Sequence, residues 1–382
     1  MVDLANIEDM RRRARRRLPR MVFDYLEGGA GNERGLRRNR DALDDILFDP
    51  HRLVAVDHRD QSAQLFGKTY AMPLAIAPTG LNGVLWPDGD LALARAAAKY
   101  DIPFCLSTAS TSTIEDVARA SDAEKWFQLY VMNRDQARDF VRRALEAGYS
   151  TLILTTDVAV NGKRERDMRS GFKVPFKLSP RIVLDTATHP RWSLAQVRHG
   201  LPQLANFASA DASDVASQSA LMARRMDAGF DWDAFATLRD LWPHKLIVKG
   251  VLRVEDALRL EKAGADAVVF SNHGGRQLED VPAPISLLQD ALAVLQIPVL
   301  MDSGIRSGAD IAKAVASGAV MTMSGKALLY GLATGGEAGV CEVLDLMKAE
   351  LDTTLALVGC PRADLLSPRH LANVVRTAHP QK

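Results

Sequence analysis

From residue 72 onward, short apolar runs alternate with amphipathic stretches. The runs occupy 73–77, 103–107, 126–131, 152–156, 246–249, 267–271, 298–302 and 320–324. They are too short for ordinary helices and too continuously apolar for strands with one wet face, so each reads as a strand buried on both sides. Between them, 90–99, 134–147, 254–263 and 308–316 place apolar residues at helical spacing. Strands followed by helices predict parallel βα units, and right-handed crossovers close eight of these into a (β/α)8 TIM barrel. A doubly wound open sheet is the alternative, but its first strand is normally followed by a GxGxxG turn. Here Pro78-Thr79-Gly80-Leu81-Asn82-Gly83 follows, with a different spacing. The α/β barrel is the expected fold.

The rhythm breaks once. About ninety residues lie between the fourth and fifth runs, where neighbouring intervals are about twenty to thirty, so 158–244 reads as an insertion after strand 4. Ahead of the barrel, 1–70 forms an N-terminal helical segment that leads to Tyr25-Leu26-Glu27-Gly28-Gly29. The glycines end that helix and leave Tyr25 near its C-terminus. A last helix is expected over 337–357, and 361–382 reads as a polar tail. Residues 1–382 are expected to form a single domain.

Composition narrows function more than fold. The chain has 382 residues, 47% hydrophobic and 25% charged, with a net charge of +1. These values suit a globular enzyme and give no overall field for nucleic acid. The basic run Arg11-Arg12-Arg13-Ala14-Arg15-Arg16-Arg17 has neither interleaved aromatic residues nor an apolar core after it. It reads as the wet face of a first helix rather than a nucleic-acid arm or a secretory signal. Cys105, Cys341 and Cys360 lie far apart without a CxxC pair, which predicts neither a zinc site nor a disulfide framework and suits a reducing compartment. No apolar run reaches the roughly eighteen residues that a membrane-spanning helix needs.

In such a barrel the reacting groups sit at the C-terminal ends of the strands. Taken in order, those ends carry Pro78, Thr79 and Gly80; Ser107, Thr108 and Ala109; Gln128 and Tyr130; Thr155 and Asp157, with Arg164 beyond; Lys249; Ser271, His273 and Arg276; Asp302, Ser303, Gly304 and Arg306; and Gly325 with Lys326. One polar strand end means little, because every strand must stop. Polar groups at all of them mark a site.

The sharpest chemistry lies in Ser271-Asn272-His273-Gly274-Gly275-Arg276-Gln277-Leu278. A His leaves a strand end, two glycines turn the chain, and an Arg follows three residues after the His. That sets a candidate base beside a fixed cation able to hold a carboxylate bidentately. The stretch resembles the active-site signature of the FMN-dependent 2-hydroxy-acid dehydrogenase and oxidase family, and the resemblance runs from about residue 18 to about residue 368. It implies FMN as cofactor, held by Pro78, Thr79, Gly80, Ser107, Gln128, Thr155, Lys249, Ser271, Asp302, Ser303, Gly304, Arg306, Gly325 and Lys326. It implies that Tyr25, Arg164 and Arg276 bind the carboxylate of a small 2-hydroxy acid, that Tyr130 meets its reacting end, and that His273 is the base with Asp157 as its partner.

The residues make sense of those roles. Gly304, Arg306, Gly325 and Lys326 follow the last two strands, where phosphate commonly sits. Ser107, Gln128 and Thr155 offer donors and acceptors to a flavin's pyrimidine edge, and Lys249 would stabilise negative charge growing there. One position departs from the family pattern. The family usually has Arg where Lys326 stands, and Lys is a point charge without the bidentate fork.

Further stretches, PTGLNGVLW (78–86), LSTAS (106–110), TTDVAVNG (155–162), DLWPHK (240–245) and LYGL (329–332), resemble the membrane-associated, (S)-mandelate-oxidising branch of the family. That implies electrons passed to a quinone, peripheral attachment to the cytoplasmic face of the inner membrane, and a homotetramer. Gly80 and Ala109 are small enough to leave room for an aryl side chain, although Gly80 also suits a turn. The alternatives are an L-lactate dehydrogenase or a peroxide-forming oxidase of the same family. Outside the family they are a Schiff-base lyase or isomerase using Lys249, or a non-catalytic phosphate-binding barrel.

Within the insertion, 173–199 carries Lys173, Lys177, Arg181, Arg191 and Arg198 against Asp185. Phe172, Phe176, Ile182, Val183, Leu184 and Trp192 lie among them, and Leu201, Leu204 and Phe207 follow. Basic groups beside apolar ones suit a segment, about 173–209, lying on an anionic bilayer with Trp192 at headgroup level. The competing expectation is a lid packed over the site. On the membrane reading, replacing 176–209 with a polar linker releases the protein from the bilayer and leaves substrate oxidation intact.

Overall fold

A computed structural model of the chain describes residues 4–172, 179–200, 202–207 and 226–372. A short antiparallel hairpin, β1 (Ala63–Leu65) and β2 (Lys68–Tyr70), precedes the barrel. The barrel strands are β3 (Leu74–Ile76), β4 (Phe104–Ser107), β5 (Lys125–Leu129), β6 (Thr151–Thr155), β7 (Lys245–Val251), β8 (Ala267–Phe270), β9 (Val299–Met301) and β10 (Met321–Ser324). They pair in parallel in sequence order, and β10 returns to β3 to close the barrel. The eight apolar runs and the expected barrel are therefore both found.

Alternation along each strand splits the core in two. Ala75, Cys105, Trp126, Ile153, Ile247, Val269, Leu300 and Met323 form a cluster of their own, the filling of the barrel. Leu74, Ile76, Phe104, Phe127, Leu152, Val248 and Phe270 instead join the larger cluster made with the helices. Leu65 and Tyr70 belong to the inner cluster, so the hairpin stoppers the barrel. Its strands are three residues each, too short for a periodic signal in the sequence.

Helices Gly89–Lys99, Ile114–Ala120, Arg134–Glu146, Val254–Lys262 and Gly308–Ala316 cover the outside. Thr113, Asn133 and Ser307 start three of them, each side chain accepting a main-chain N–H from the first turn. Helix Trp232–Leu241 buries Ala234, Phe235 and Leu238 and leads directly into β7. It is the ordinary barrel helix of that unit, so the insertion ends before it rather than at 244. The span Lys326–Val358 is helical on both sides of a break at Gly335 and Gly336, so the expected last helix from 337 is found, preceded by a further helical segment from Lys326. Gly335 and Gly336 leave helical geometry there, which in the sequence reads as a stop. In the fold they form a kink over Trp86, where a Cβ on Gly336 would lie 2.6 Å from the indole.

Part of the tail is folded. Asp60 bridges to Arg362 and Phe48 to Leu371, binding 361–372 to the N-terminal segment; residues 373–382 lie outside the described residues. That segment begins with helices Ile7–Arg17, Arg20–Glu27 and Arg34–Asp44. The arginine run lies on the first helix with Arg12 in solvent, while Arg11 pairs with Glu27 at 2.9 Å and Arg17 stacks 4.3 Å over Trp86.

Candidate active site

The C-terminal ends of β3–β10 open into a cavity of about 640 Å³. Its wall contains Tyr25, Pro78, Thr79, Gly80, Ser107, Tyr130, Thr155, Arg164, Lys249, His273, Arg276, Asp302, Ser303, Gly304, Arg306, Gly325 and Lys326. Gln128, Asp157 and Ser271, also expected at the site, stand behind that wall and act through it. Gln128 accepts from Ser107 Oγ at 3.0 Å and donates to Thr155 Oγ1 at 3.0 Å. Ser271 Oγ accepts from Lys249 Nζ at 2.7 Å and from the His273 N–H at 3.0 Å.

His273 occupies a left-handed conformation, φ 58°, as do Gly274 and Gly275. For a residue with a Cβ that conformation costs about 1–2 kcal/mol, so its surroundings must hold it. The turn aims the imidazole into the cavity, with Nδ1 2.9 Å from Asp157 Oδ1 and Nε2 3.3 Å from the Tyr130 hydroxyl. Asp157 reaches it because residue 250 is glycine, at φ +98°; a Cβ there would sit 2.7 Å from the Asp157 carboxyl carbon.

Burial pushes the His273 pKa below its ordinary value, and Lys249 and Arg164 push the same way, against the raising effect of Asp157. For Asp157 burial acts upward, but His273 and Lys249 outweigh it and hold the carboxyl below its usual range. The pair is thus a neutral imidazole backed by a carboxylate. Protonating the ring creates an ion pair, which favours proton uptake during reaction.

Beside the imidazole lie the groups for an anionic substrate. Arg276 Nη1 donates to the carbonyls of Tyr25 (2.9 Å) and Gly28 (2.7 Å), and the guanidinium lies 5.2 Å over the Tyr25 ring. Tyr25 stacks on Phe172 at 4.3 Å and donates its hydroxyl to Gly80 O at 3.2 Å. Arg164 reaches Arg276 O with Nε at 3.5 Å and Asp167 at 3.8 Å.

Deeper in, Lys249 forms an ion pair with Asp302 at 2.9 Å. Burial works against its charge, yet Asp302 and Asp157 prevail and raise its pKa to about 12. A Schiff-base amine must lose its proton to attack, and the ion pair with Asp302 opposes that loss. Lys326 donates to Glu27 O at 2.7 Å and Gly28 O at 3.3 Å. Burial, then Arg276 and Arg306, push its pKa well down. An anion placed here would relieve that repulsion. Lys326 also opens a long helix with no side-chain cap, leaving main-chain N–H groups to face the cavity.

A model of FMN-dependent dehydrogenases matches residues 14–373. The chain belongs to this family. Among its relatives, (S)-mandelate dehydrogenase of Pseudomonas putida is 56% identical over 371 residues, 97% of this chain and 94% of that protein. An L-lactate dehydrogenase of Caulobacter vibrioides is 41% identical, over 93% of this chain and 94% of that one. The crystal structure of the monotopic membrane protein (S)-mandelate dehydrogenase superposes with a TM-score of 0.95 at 56% identity, covering 97% of this chain and all of that one. A mandelate oxidase superposes with a TM-score of 0.81 at 33% identity, covering 97% and 98%.

This FMN-dependent dehydrogenase has a cavity that fits its cofactor. The uncapped helix start with Gly304, Arg306, Gly325 and Lys326 suits the phosphate, and the Ser107–Gln128–Thr155 chain with Lys249 suits the ring. One feature was not legible in the sequence. Arg40 of helix Arg34–Asp44 bonds Gly304 O and Asp310, bracing the loop after β9; an Arg on an amphipathic helix reads as a wet face. Leu204 and Phe207 of the insertion line the cavity, as the lid expectation places them, together with Met226 and Met132.

The insertion itself corrects the sequence reading. Trp192 is buried and donates its indole N–H to Val84 O at 2.8 Å, so it does not stand at a headgroup level. Phe172, Ile182, Leu204 and Phe207 are buried as well, while Phe176 and Leu201 lie outside the described residues. Asn206 locks 202–207 to the loop after β4, accepting from Ile114 N and donating to Ser110 Oγ, each at 3.0 Å. Replacing all of 176–209 would therefore remove cavity wall, and survival of catalysis is no longer the expected outcome of that change.

Proposed function

We propose that this dehydrogenase oxidises (S)-mandelate to phenylglyoxylate at the inner membrane and delivers the electrons to a quinone. The observation that carries the reading is the His273–Asp157 pair, 2.9 Å apart and facing the same cavity as Arg276. When bound, FMN supplies the two-electron acceptor for the alcohol carbon. Arg276 and Tyr25 hold the substrate carboxylate, with Arg164 beside them. His273 Nε2 takes up the proton leaving the substrate, with Tyr130 at the same end. Lys249, kept charged by Asp302, stabilises negative charge at the deep end of the site.

Substrate size rests on Gly80 and Ala109, which lie side by side on the cavity wall; a Cβ on Gly80 would lie 3.0 Å from that of Ala109. Two small side chains there leave space for a phenyl ring. Ala109→Trp is expected to reverse a preference for mandelate over lactate, measured as kcat/KM for each acid. A wild-type enzyme that prefers lactate would move it to the L-lactate branch.

The membrane position rests on exposed apolar residues. Helices Pro180–Ala187 and Pro190–His199 present Leu184, Leu194 and Val197 at 69%, 67% and 81% exposure, beside exposed Arg191 and Arg198. No helix among the described residues is long and apolar enough to cross a bilayer, and the exposed apolar side chains of these two helices suit attachment from one side. The triple change Leu184→Asp, Leu194→Asp, Val197→Asp spares the cavity wall. It is expected to move the protein to the soluble fraction with dye-linked turnover at the wild-type level. A triple variant that still sediments with membranes would count against this surface. A homotetramer is part of the same reading, supported by exposed Leu47, Leu53, Leu357 and Leu365; a monomeric mass in detergent would contradict it.

A further inference from the structure

The residue next to the base is held from outside the barrel. Asn272 and Asn39 are both buried, at 3% and 2% exposure. Their amides pair reciprocally: Asn39 Nδ2 donates to Asn272 Oδ1 at 2.8 Å, and Asn272 Nδ2 donates back to Asn39 Oδ1 at 2.6 Å. Asn272 Oδ1 also accepts from Gly275 N at 3.0 Å, so the same amide spans the left-handed turn at 273–275. The chain adds a second tie from the N-terminal segment, where Ala30 N donates to Gly275 O at 2.9 Å. On the other side Ser303 Oγ accepts from Asn272 N at 3.2 Å and Gly274 N at 3.0 Å.

We propose that Asn39 is a positioning residue for His273: its amide pair with Asn272 locks the strained turn that aims the imidazole at the substrate. The inference rests on the reading of His273 as the base. Asn39 sits on helix Arg34–Asp44, where it is buried along with Gly35 and Leu43. A buried amide is unfavourable unless its hydrogen bonds are made, and here they are made to the neighbour of the base. His273, the one residue of the three with a Cβ, has lower-energy alternatives to its left-handed conformation. Without the amide clamp the turn is free to relax toward them, and a displacement on the order of 1 Å at the imidazole is enough to lower the rate by roughly a hundredfold.

The test uses the full chain loaded with FMN. Asn39→Ala should keep its flavin through dialysis, keep KM for (S)-mandelate within about twofold, and lose roughly tenfold to a hundredfold in the anaerobic rate of flavin bleaching by substrate. Asn39→Ser keeps a small hydrogen-bonding group but is too short to make both amide bonds, and should fall between wild type and Asn39→Ala. It serves as the decisive variant if the alanine protein folds poorly. A wild-type bleaching rate in either folded variant overturns the proposal. So does loss of flavin in step with loss of rate, because Asn39 also lines the cavity and would then be a cofactor contact. His273→Ala, run alongside, separates the two claims. If it bleaches normally the base assignment fails, whereas a slow His273→Ala beside fast Asn39 variants removes only the clamp.

Discussion

His273→Ala is expected to bind FMN normally and to lose at least about a hundredfold in the rate of flavin bleaching by a 2-hydroxy acid, the low end for a positioned general base. The imidazole is the group placed to take the substrate's proton, and Asp157 stands 2.9 Å behind it on the far ring nitrogen. Cofactor retention should survive because the Lys249–Asp302 pair and the helix start at Lys326 lie outside the change. The sign of the pH effect follows from the same geometry. A base must be neutral to accept a proton, and burial holds the His273 pKa below its ordinary value. Bleaching should therefore rise with pH through a value below about 6.5 and stay level at neutral pH. The alanine variant should lose that acid limb. A variant that bleaches near the wild-type rate would remove His273 from the mechanism.

Arg276→Met should lower kcat/KM for mandelate by roughly a hundredfold or more. A carboxylate held by two charge-assisted hydrogen bonds gains about 1.5–3 kcal/mol from each, and about 1.4 kcal/mol is a factor of ten. Arg276 does structural work as well, tying the carbonyls of Tyr25 and Gly28 at the end of helix Arg20–Glu27. The loss should thus appear in both kcat and KM. Arg276→Lys restores the charge without the fork and should recover only part of the activity. Arg164→Met is expected to be milder, because Arg164 bonds the backbone of Arg276 and lies near Asp167 on the segment after β6. Wild-type efficiency in both methionine variants would refute this placement of the carboxylate.

Much of this site was legible because strand ends in a barrel converge by topology. Thr79, Ser107, Thr155, Lys249, His273, Asp302 and Gly325 are far apart in the chain yet meet in one cavity, since each follows a buried apolar run. Asp157 was legible as a partner by resemblance, but its distance from His273 depends on Gly250, whose missing side chain lets the carboxyl close in. The insertion shows the opposite case. Its composition suggested a bilayer-facing segment with Trp192 at headgroup level; the fold leaves Leu184 exposed, as that reading expects, but buries Trp192 and exposes Leu194 and Val197 in its place. Composition counts basic and apolar residues without saying which face of a helix meets the barrel.

The sequence by itself determined the barrel, the order of its strands, the family and the chemical kinds of group around the substrate. These depend on local periodicity and on motifs continuous in the chain. Only the tertiary structure decided which groups touch. It paired Asn39 with Asn272 across 233 positions, set Arg40 against Gly304, kept Lys249 charged beside Asp302, and made Leu204 and Phe207 part of the cavity wall. Such contacts arise when separate elements close on one another, and a single chain of letters carries no periodic signal for them.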